Sequence, residues 1–263
     1  MARFCPLFSS SSGNSMLFGG SQGNFLVDIG VSAKRTELAL KEMGVDPASI
    51  ETIFLTHEHI DHVRGLRVFG NRYRPKIRAT QGTLAALAAQ NLLPELCDVD
   101  VIPADGTEVA GMLVLPFATS HDCQESCGYH INTYDGRRAA VATDLGYISN
   151  EVRRNIADTD LLVIESNHDV RMLQNGSYPY LLKRRILSNV GHLSNESCAV
   201  ELPELVKNGT ARIFLAHLSQ ENNIPALALE TSRAQLTLAG CRCNVDYELS
   251  VAPRNGPEKM VIF

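Results

Sequence analysis

The chain has 263 residues, of which 44% are hydrophobic and 20% are charged, and this composition is typical of a globular protein. No run of about 18 apolar residues occurs, which excludes a membrane-spanning helix. The net charge of −5 argues against nucleic-acid binding through a broad basic surface, although it leaves room for a local basic cleft. The seven cysteines are odd in number and scattered, and no secretory signal is seen, so we expect reduced thiols in the cytoplasm.

Predicted strands and helices alternate along the chain. Short apolar runs predict strands, in chain order, at 25–27, 53–55, 112–115, 139–142, 161–164 and 213–216. Helical spacing and capping residues predict helices from Ser32 to Gly44, over 83–91, from Ser194 toward Gly209 with a kink at Pro203, and over 225–240. This alternation predicts an α/β fold.

Many of the predicted strands run into a residue whose side chain can bind a metal. These strand-end residues are Asp28, His57, Asp144, Glu165 and His217. Polar groups at one end of a sheet converge in space, and α/β proteins place their sites there.

The segment 57–62 carries the densest chemistry of the chain. It reads His-Glu-His-Ile-Asp-His, directly after a predicted strand. His57 and His59 point to the same side of an extended segment and can share one metal, while Asp61 and His62 can face a second. Imidazole and carboxylate are ligands that Zn, Mn, Fe and Co accept. Two such metals need further ligands, and His121, Asp144 and His217 supply candidates.

The order of these residues resembles the motif order of the metallo-β-lactamase fold. That order is His-x-His-x-Asp-His, then a lone His, a lone Asp and a final His, and Asp28 resembles the early Asp that supports the metal loop. The resemblance implies an αββα sandwich, in which helices flank two sheets and a two-metal site lies at one edge. It implies a single domain over 1–263, because the 48 positions from Asp144 to His192 leave no room for the inserted domain of β-CASP nucleases.

The resemblance also implies a ligand set for two divalent ions, which the residue types allow to be Zn, Mn or Fe. The first metal would be held by His57, His59 and His121. The second would be held by Asp61, His62 and His217, with Asp144 bridging both. Asp144 stands where some lactamases carry Cys, and this difference argues against a β-lactamase. A bridging Asp is typical of the phosphodiesterases and thioesterases of the family.

Four motifs in order resemble the YycJ/WalJ (VicX) group of single-domain bacterial nucleases. They are the stretches 55–62, 164–169, 191–195 and 216–223. The Ser-rich loop 9–15 also resembles the N-terminal loop of the group and departs from it at Ser10. The group is regarded as 5′→3′ DNA exonucleases, so the resemblance implies phosphodiester hydrolysis by a hydroxide held between two metals.

The motifs around Glu165 and His192 are similar to those of ribonuclease Z. This similarity implies that His192 acts near the scissile phosphate and that Glu165 orients its imidazole. Asp61 would orient the hydroxide while it binds metal. His192 also fits an ordinary residue at the start of a helix, and strand-end carboxylates such as Glu165 are common.

Six further residues are candidates for substrate contact. Small residues and hydroxyls in the loop 9–15 suit a terminal phosphate, which makes Ser11, Ser12 and Asn14 candidates, although a plain turn explains them equally. His168 contacts either substrate or its neighbour Asp169. Basic residues after the metal motif, among them Arg72 and Arg74, form either a phosphate track or a solubilising surface.

Taken together, the residues predict a metal-dependent phosphodiesterase that acts as a 5′→3′ DNA exonuclease. The alternatives are an RNA-processing nuclease of the ribonuclease Z type, because phosphate contacts do not report the 2′-hydroxyl, and a thioesterase or lactonase on the same fold. A purely structural metal site is disfavoured, since such sites seldom keep two adjacent metals and an open position. The oligomeric state stays open.

Overall fold

Fourteen strands and nine α-helices make up the computed structural model, which describes all of Met1–Phe263. The strands are β1 (Arg3–Phe8), β2 (Ser15–Gly19), β3 (Asn24–Val27), β4 (Ile50–Phe54), β5 (Lys76–Ala79), β6 (Val99–Val101), β7 (Thr107–Val109), β8 (Met112–Ala118), β9 (Cys127–Thr133), β10 (Arg138–Ala142), β11 (Leu161–Glu165), β12 (Arg212–Ala216), β13 (Glu248–Val251) and β14 (Val261–Ile262). The helices are α1 (Ala33–Glu42), α2 (Ile60–Val63), α3 (Leu66–Tyr73), α4 (Gln81–Ala89), α5 (Asn150–Ile156), α6 (Val170–Asn175), α7 (Tyr180–Ile186), α8 (Asn195–Lys207) and α9 (Pro225–Leu238).

All six predicted strands and all four predicted helices are confirmed. The strands are β3, β4, β8, β10, β11 and β12, and the helices are α1, α4, α8 and α9. Ser32 and Ser194 cap α1 and α8 as predicted, each accepting a hydrogen bond from a backbone N–H three residues on. No helix combines the length and the apolar character that crossing a membrane requires.

The first sheet has the strand order β14-β1-β2-β3-β4-β5-β6. Strands β14, β1, β2 and β3 pair antiparallel, whereas β3 to β6 pair parallel. Because β3 and β4 are parallel neighbours, their carboxyl ends lie together, and the residues that follow them are Asp28 and the segment 55–62.

The second sheet has the strand order β13-β12-β11-β10-β9-β8-β7. Its strands β10 to β13 are parallel, and every residue of β11 is buried. Strands covered on both faces read as continuous apolar runs, which is why the sequence of β11 shows no alternation. Asp144, Glu165 and His217 lie at or just beyond the carboxyl ends of β10, β11 and β12.

The chain divides into two compact units, each with its own apolar core. The first comprises Met1–Pro116, Cys123–Arg137 and Pro253–Phe263, and the second comprises Phe117–Asp122 and Arg138–Ala252. In the first, side chains of α1, α3 and α4 pack on strands β1 to β5. In the second, α5, α8 and α9 pack on β10 to β12. Two mixed sheets with flanking helices confirm the predicted α/β class.

Candidate metal centre

The first group of candidate ligands lies in the loop after β4, in the first unit. The ring centroid of His57 lies 4.6 Å from that of His59 and 4.2 Å from that of His62. His57 and His62 are fully buried, whereas the side chain of Asp61 keeps 19% of its surface exposed. Imidazole nitrogens are common ligands of divalent metals, so three rings at this spacing suit a bound cation.

Asp28 holds His62 in place from the end of the neighbouring strand. Its Oδ2 lies 2.7 Å from Nδ1 of His62, and its Oδ1 accepts a hydrogen bond from the backbone N–H of Thr56 at 2.9 Å. The Thr56 hydroxyl donates to the same carboxylate. Because Nδ1 of His62 is taken by Asp28, Nε2 is the nitrogen that can face a metal.

Asn14 is fully buried and binds the backbone of the metal loop. Its backbone N–H donates to the Asp61 carbonyl at 2.8 Å, its side-chain Nδ2 donates to the same carbonyl at 3.3 Å, and its own backbone carbonyl accepts from the Gly30 N–H at 2.7 Å. A Cβ on Gly30 would lie 1.6 Å from the Asp61 carbonyl oxygen, so only glycine fits there. The burial leaves no surface of Asn14 for a substrate, and its hydrogen bonds instead fix the backbone of the metal loop at Asp61.

We expect an Asn14→Ala variant to bind Mn²⁺ about 10-fold or more weakly, because loss of groups that orient ligands typically costs 10–100-fold in metal affinity. Isothermal titration calorimetry measures this without reference to any activity. The control is Gln22→Ala, which removes an exposed amide elsewhere in the same unit. Unchanged affinity in Asn14→Ala would show that the buried amide does not support the loop.

The second group of candidate ligands lies in the second unit. Oδ1 of Asp144 lies 3.7 Å from Nε2 of His121 and 3.5 Å from Nε2 of His217. These separations are too long for hydrogen bonds. A metal with bonds of about 2.0–2.2 Å places two of its tetrahedral ligand atoms roughly 3.4 Å apart, so the distance from Asp144 to each of these two histidines fits a bound ion.

Glu165 connects two of the histidines of this unit. Its Oε1 lies 2.8 Å from Nδ1 of His192 and 2.9 Å from Nδ1 of His217, while its Oε2 accepts from the backbone N–H groups of Leu145 and Leu193. Burial alone raises the pKa of the Glu165 carboxyl, but the charges and hydrogen bonds of His192 and His217 outweigh it and hold this pKa well below its usual range.

His192 is the partly exposed member of this group. Its side chain keeps 13% of its surface exposed, and its ring centroid lies 4.9 Å from that of His121 and 5.2 Å from that of His217. One donor atom each from Asp144, Glu165, His192 and His217 lies within 4.8 Å of the others. Because Glu165 binds Nδ1 of His192, the Nε2 edge of this ring is the part left for a reacting molecule.

Three strand-end residues leave their strands in the left-handed region of the backbone. The φ angles are 61° at Asp28, 58° at Asp144 and 56° at His217. This conformation costs roughly 1–3 kcal/mol for residues other than glycine and persists where the surroundings impose it, which is common at functional sites. No feature of the sequence indicated it.

The candidate substrate residues lie in different surroundings. Ser11 and Ser12 are exposed at the tip of their loop, and Arg74 is exposed at the end of α3. Arg72 forms an ion pair with Glu37, so its charge is already matched. His168 is only 1% exposed, neither of its ring nitrogens forms a hydrogen bond, and burial lowers its pKa to about 4.

Two contacts of the second unit had little or no signal in the sequence. The Gly191 carbonyl lies 3.0 Å from Nδ1 of His121, which leaves Nε2 of that ring for a metal. Nδ2 of Asn167 donates to the His217 carbonyl at 2.8 Å. The only sequence feature that pointed to Asn167 was its place in the motif 164–169. The contact of the Gly191 backbone carbonyl has no sequence feature that could predict it.

Comparison with known proteins identifies the family. Residues 23–218 match the family model of the beta-lactamase superfamily domain. This chain belongs to the beta-lactamase superfamily. Within it, the chain is 37% identical over 228 residues to the exodeoxyribonuclease YycJ of Bacillus anthracis, with 86% of this chain and 85% of that protein covered. It is 35% identical over 250 residues to the exodeoxyribonuclease WalJ of Streptococcus pneumoniae, with 94% and 93% covered.

The fold of this superfamily member also matches solved structures. The human tRNase Z, short form, superimposes with a TM-score of 0.65 at 16% identity, over all of both chains. At this identity the match shows the fold alone. The family model and the two relatives confirm the resemblance found from the motifs, and the structural match confirms the metallo-β-lactamase architecture. The prediction of one domain over 1–263 without a β-CASP insertion stays a prediction.

Proposed function

We propose that this superfamily member is a metal-dependent DNA exonuclease. The observation that carries the proposal is that buried His and Asp side chains suited to metal binding occur together with His192, an imidazole held by the Glu165 carboxylate. This combination provides both the ligands for divalent ions and a proton donor, which phosphodiester hydrolysis requires. The relatives that this chain matches over most of its length are named exodeoxyribonucleases.

The residues that would hold two divalent ions, Zn, Mn or Fe, are those of the family pattern. They are His57, His59 and His121 for the first ion, Asp61, His62 and His217 for the second, and Asp144 for both. When bound, such ions lower the pKa of a water and offset the charge on the phosphoryl oxygens. The hydrogen bonds of Asp28 and Glu165 support this assignment, because each holds the Nδ1 side of a histidine and leaves Nε2 for the ion.

The protein's own side chains would then orient the attacking water and supply a proton to the leaving oxygen. Asp61, whose carboxylate is partly exposed, orients the attacking water. His192 donates a proton from Nε2 to the leaving oxygen, and Glu165, fixed by two backbone N–H groups, holds the ring by Nδ1 during this step. Ser11, Ser12 and Arg74 are the exposed candidates for contact with the DNA ends, and we propose 5′→3′ action.

The test is a nuclease assay with Mn²⁺ on 5′-phosphorylated double-stranded DNA, single-stranded DNA and RNA. We expect stepwise shortening of DNA from its 5′ end, lost in an Asp61→Ala, His62→Ala double variant. Preferred cleavage of RNA would support a ribonuclease instead. Absence of any nucleic-acid cleavage in metal-loaded protein, together with hydrolysis of a thioester or lactone, would overturn the proposal in favour of a small-molecule hydrolase.

We propose a reducing compartment, the cytoplasm, for this protein. None of the seven cysteines forms a disulfide bond. Burial, the largest influence, raises the pKa of the Cys5 and Cys127 thiols to about 12, so these two side chains pack as neutral groups.

A further inference from the structure

The short helix α7 of the second unit exposes the side chains that a surface helix normally buries. Tyr180 is 72% exposed and Leu181 is 75% exposed, whereas Ile186 is the one residue of the helix that is buried. An amphipathic helix turns its large apolar residues toward the core, so this outward apolar face is unusual. Burial of a ligand or partner on it would remove apolar surface from water.

The exposed apolar surface continues from α7 into the loop that follows it. Leu187 is 45% exposed, Val190 is 47% exposed and Tyr147 is 48% exposed. Tyr147 belongs to the same surface because its neighbour Gly146 packs so tightly on the 189–190 backbone that a Cβ there would lie 2.1 Å from the Asn189 carbonyl oxygen. We call these residues the apolar strip, and its members are Tyr147, Tyr180, Leu181, Leu187 and Val190.

The strip begins beside the backbone of His192, the proposed proton donor. The N–H of His192 donates to the Ile186 carbonyl at 2.9 Å, which ties the end of α7 to this residue. The seven residues of α7 extend for about 10 Å from that point. Stacked nucleotides rise by about 3.4 Å each, so the helix can accompany about three of them away from His192.

The charges around the strip favour a polyanion. No acidic residue occurs between Asp169 and Glu196, although the whole chain has a net charge of −5. The guanidinium carbon of Arg184 lies 5.9 Å from the ring centroid of Tyr180, and this side chain forms no ion pair. Arg185 pairs with Asp122, and Nζ of Lys183 donates to the carbonyls of Gln174 and Gly176, so these two residues hold the helix in place.

We propose that the apolar strip binds unpaired bases of a single DNA strand next to the phosphodiester bond that is cleaved. Bases stack on Tyr180 and Tyr147 and pack against the aliphatic side chains, while Arg184 contacts a phosphate. Aromatic side chains beside a cation are the usual platform for single strands, because every base offers a stacking face, whereas the bases of a duplex are covered by one another. The inference rests on the proposed function and specifies its substrate as an unpaired strand.

The test measures fluorescence anisotropy of a labelled 5′-phosphorylated single strand and of a blunt duplex of equal length, with full-length protein and Ca²⁺. We expect Tyr180→Ala to raise the Kd for the single strand about 10-fold, as loss of one stacking platform does, and to leave the Kd for the duplex nearly unchanged. Tyr180→Phe keeps the ring and should bind as the wild type does. Tyr134→Ala, which removes a 68% exposed tyrosine of the first unit, is the matched control.

If Tyr180→Ala weakened the binding of both DNAs equally, or weakened the binding of neither, the inference would be overturned. Sedimentation velocity tests whether the strip binds a second copy of the chain instead of DNA. A wild-type dimer that Tyr180→Ala converts to monomer would make the strip a subunit interface. Binding that depends on Tyr180 without DNA cleavage would count against the proposed function alone. Cleavage by a protein whose binding ignores Tyr180 would count against the strip alone.

Discussion

An Asp61→Asn variant is expected to lose about 10³-fold of the wild-type kcat for DNA cleavage with Mn²⁺. The amide keeps the size of the side chain but removes the negative charge, so it does not take up a proton near neutral pH and holds a divalent cation more weakly. Positioned proton acceptors contribute about 10²–10⁴-fold in enzymes, and Asp61 is proposed both to orient the water and to bind metal. Its Oδ2 lies 3.6 Å from Nε2 of His62, the nitrogen left for the same ion.

Initial rates on a 5′-phosphorylated duplex and on a single strand measure this loss. The free energy of unfolding should change by less than about 1 kcal/mol, because the side chain is partly exposed. Asp105→Asn, an exposed aspartate of the same unit, serves as the control and should keep the wild-type rate. A near-normal rate in Asp61→Asn would remove this residue from the proposed chemistry.

The strands found from sequence are those whose runs are apolar throughout. Strands β10 to β12 were visible because parallel strands buried on both faces show uninterrupted apolar residues. Strand β1 was missed because Pro6 interrupts it, and the structure accommodates this proline at an irregularity in the β1–β2 pairing. Helix α7 was missed because its apolar residues face outward, so the periodicity that marks a buried helix face is absent.

The residue types of the candidate site could be predicted from the sequence, but the side chains that pair with its basic candidates could not. The histidines and aspartates follow strands in a fixed order, which local sequence records. The ion pair of Arg72 with Glu37 joins positions 35 apart, so no local sequence pattern predicts it. The ion pairs of Arg67 with Glu95 and of Arg78 with Asp100 also join distant positions and are equally hidden in the sequence. The phosphate track inferred from a run of basic residues therefore contains cations that the fold has already paired.

Replacement of Glu165 by Gln is expected to disturb both histidines that share it. The carboxylate accepts two hydrogen bonds on each oxygen, from Nδ1 of His192 and His217 on one side and from two backbone N–H groups on the other. An amide presents N–H donors on one of these sides and leaves two buried donors facing it. Such a loss typically costs about 1–3 kcal/mol in the free energy of unfolding, and misplaced ligands about 10–100-fold in activity.

Glu58→Gln is the matched control for this substitution. Glu58 is also a buried glutamate, but only its Oε1 accepts a backbone N–H, that of Gln124 at 2.8 Å, and an amide oxygen preserves this bond. We expect Glu58→Gln to keep kcat and stability close to wild type, while Glu165→Gln loses both. Equal behaviour of the two variants would show that the shared carboxylate does not position His192 and His217.

The pH dependence of unfolding provides a second measurement on the metal-free protein. Because the folded pKa of Glu165 lies below its unfolded value of 4.5, the carboxylate stabilises the fold fully above that pH. This contribution is lost as the pH falls below 4.5 toward the folded pKa. The difference in the free energy of unfolding between wild type and Glu165→Gln should therefore be largest near neutral pH and shrink with acid. A difference that stays constant across this range would contradict a charged Glu165 in the folded protein.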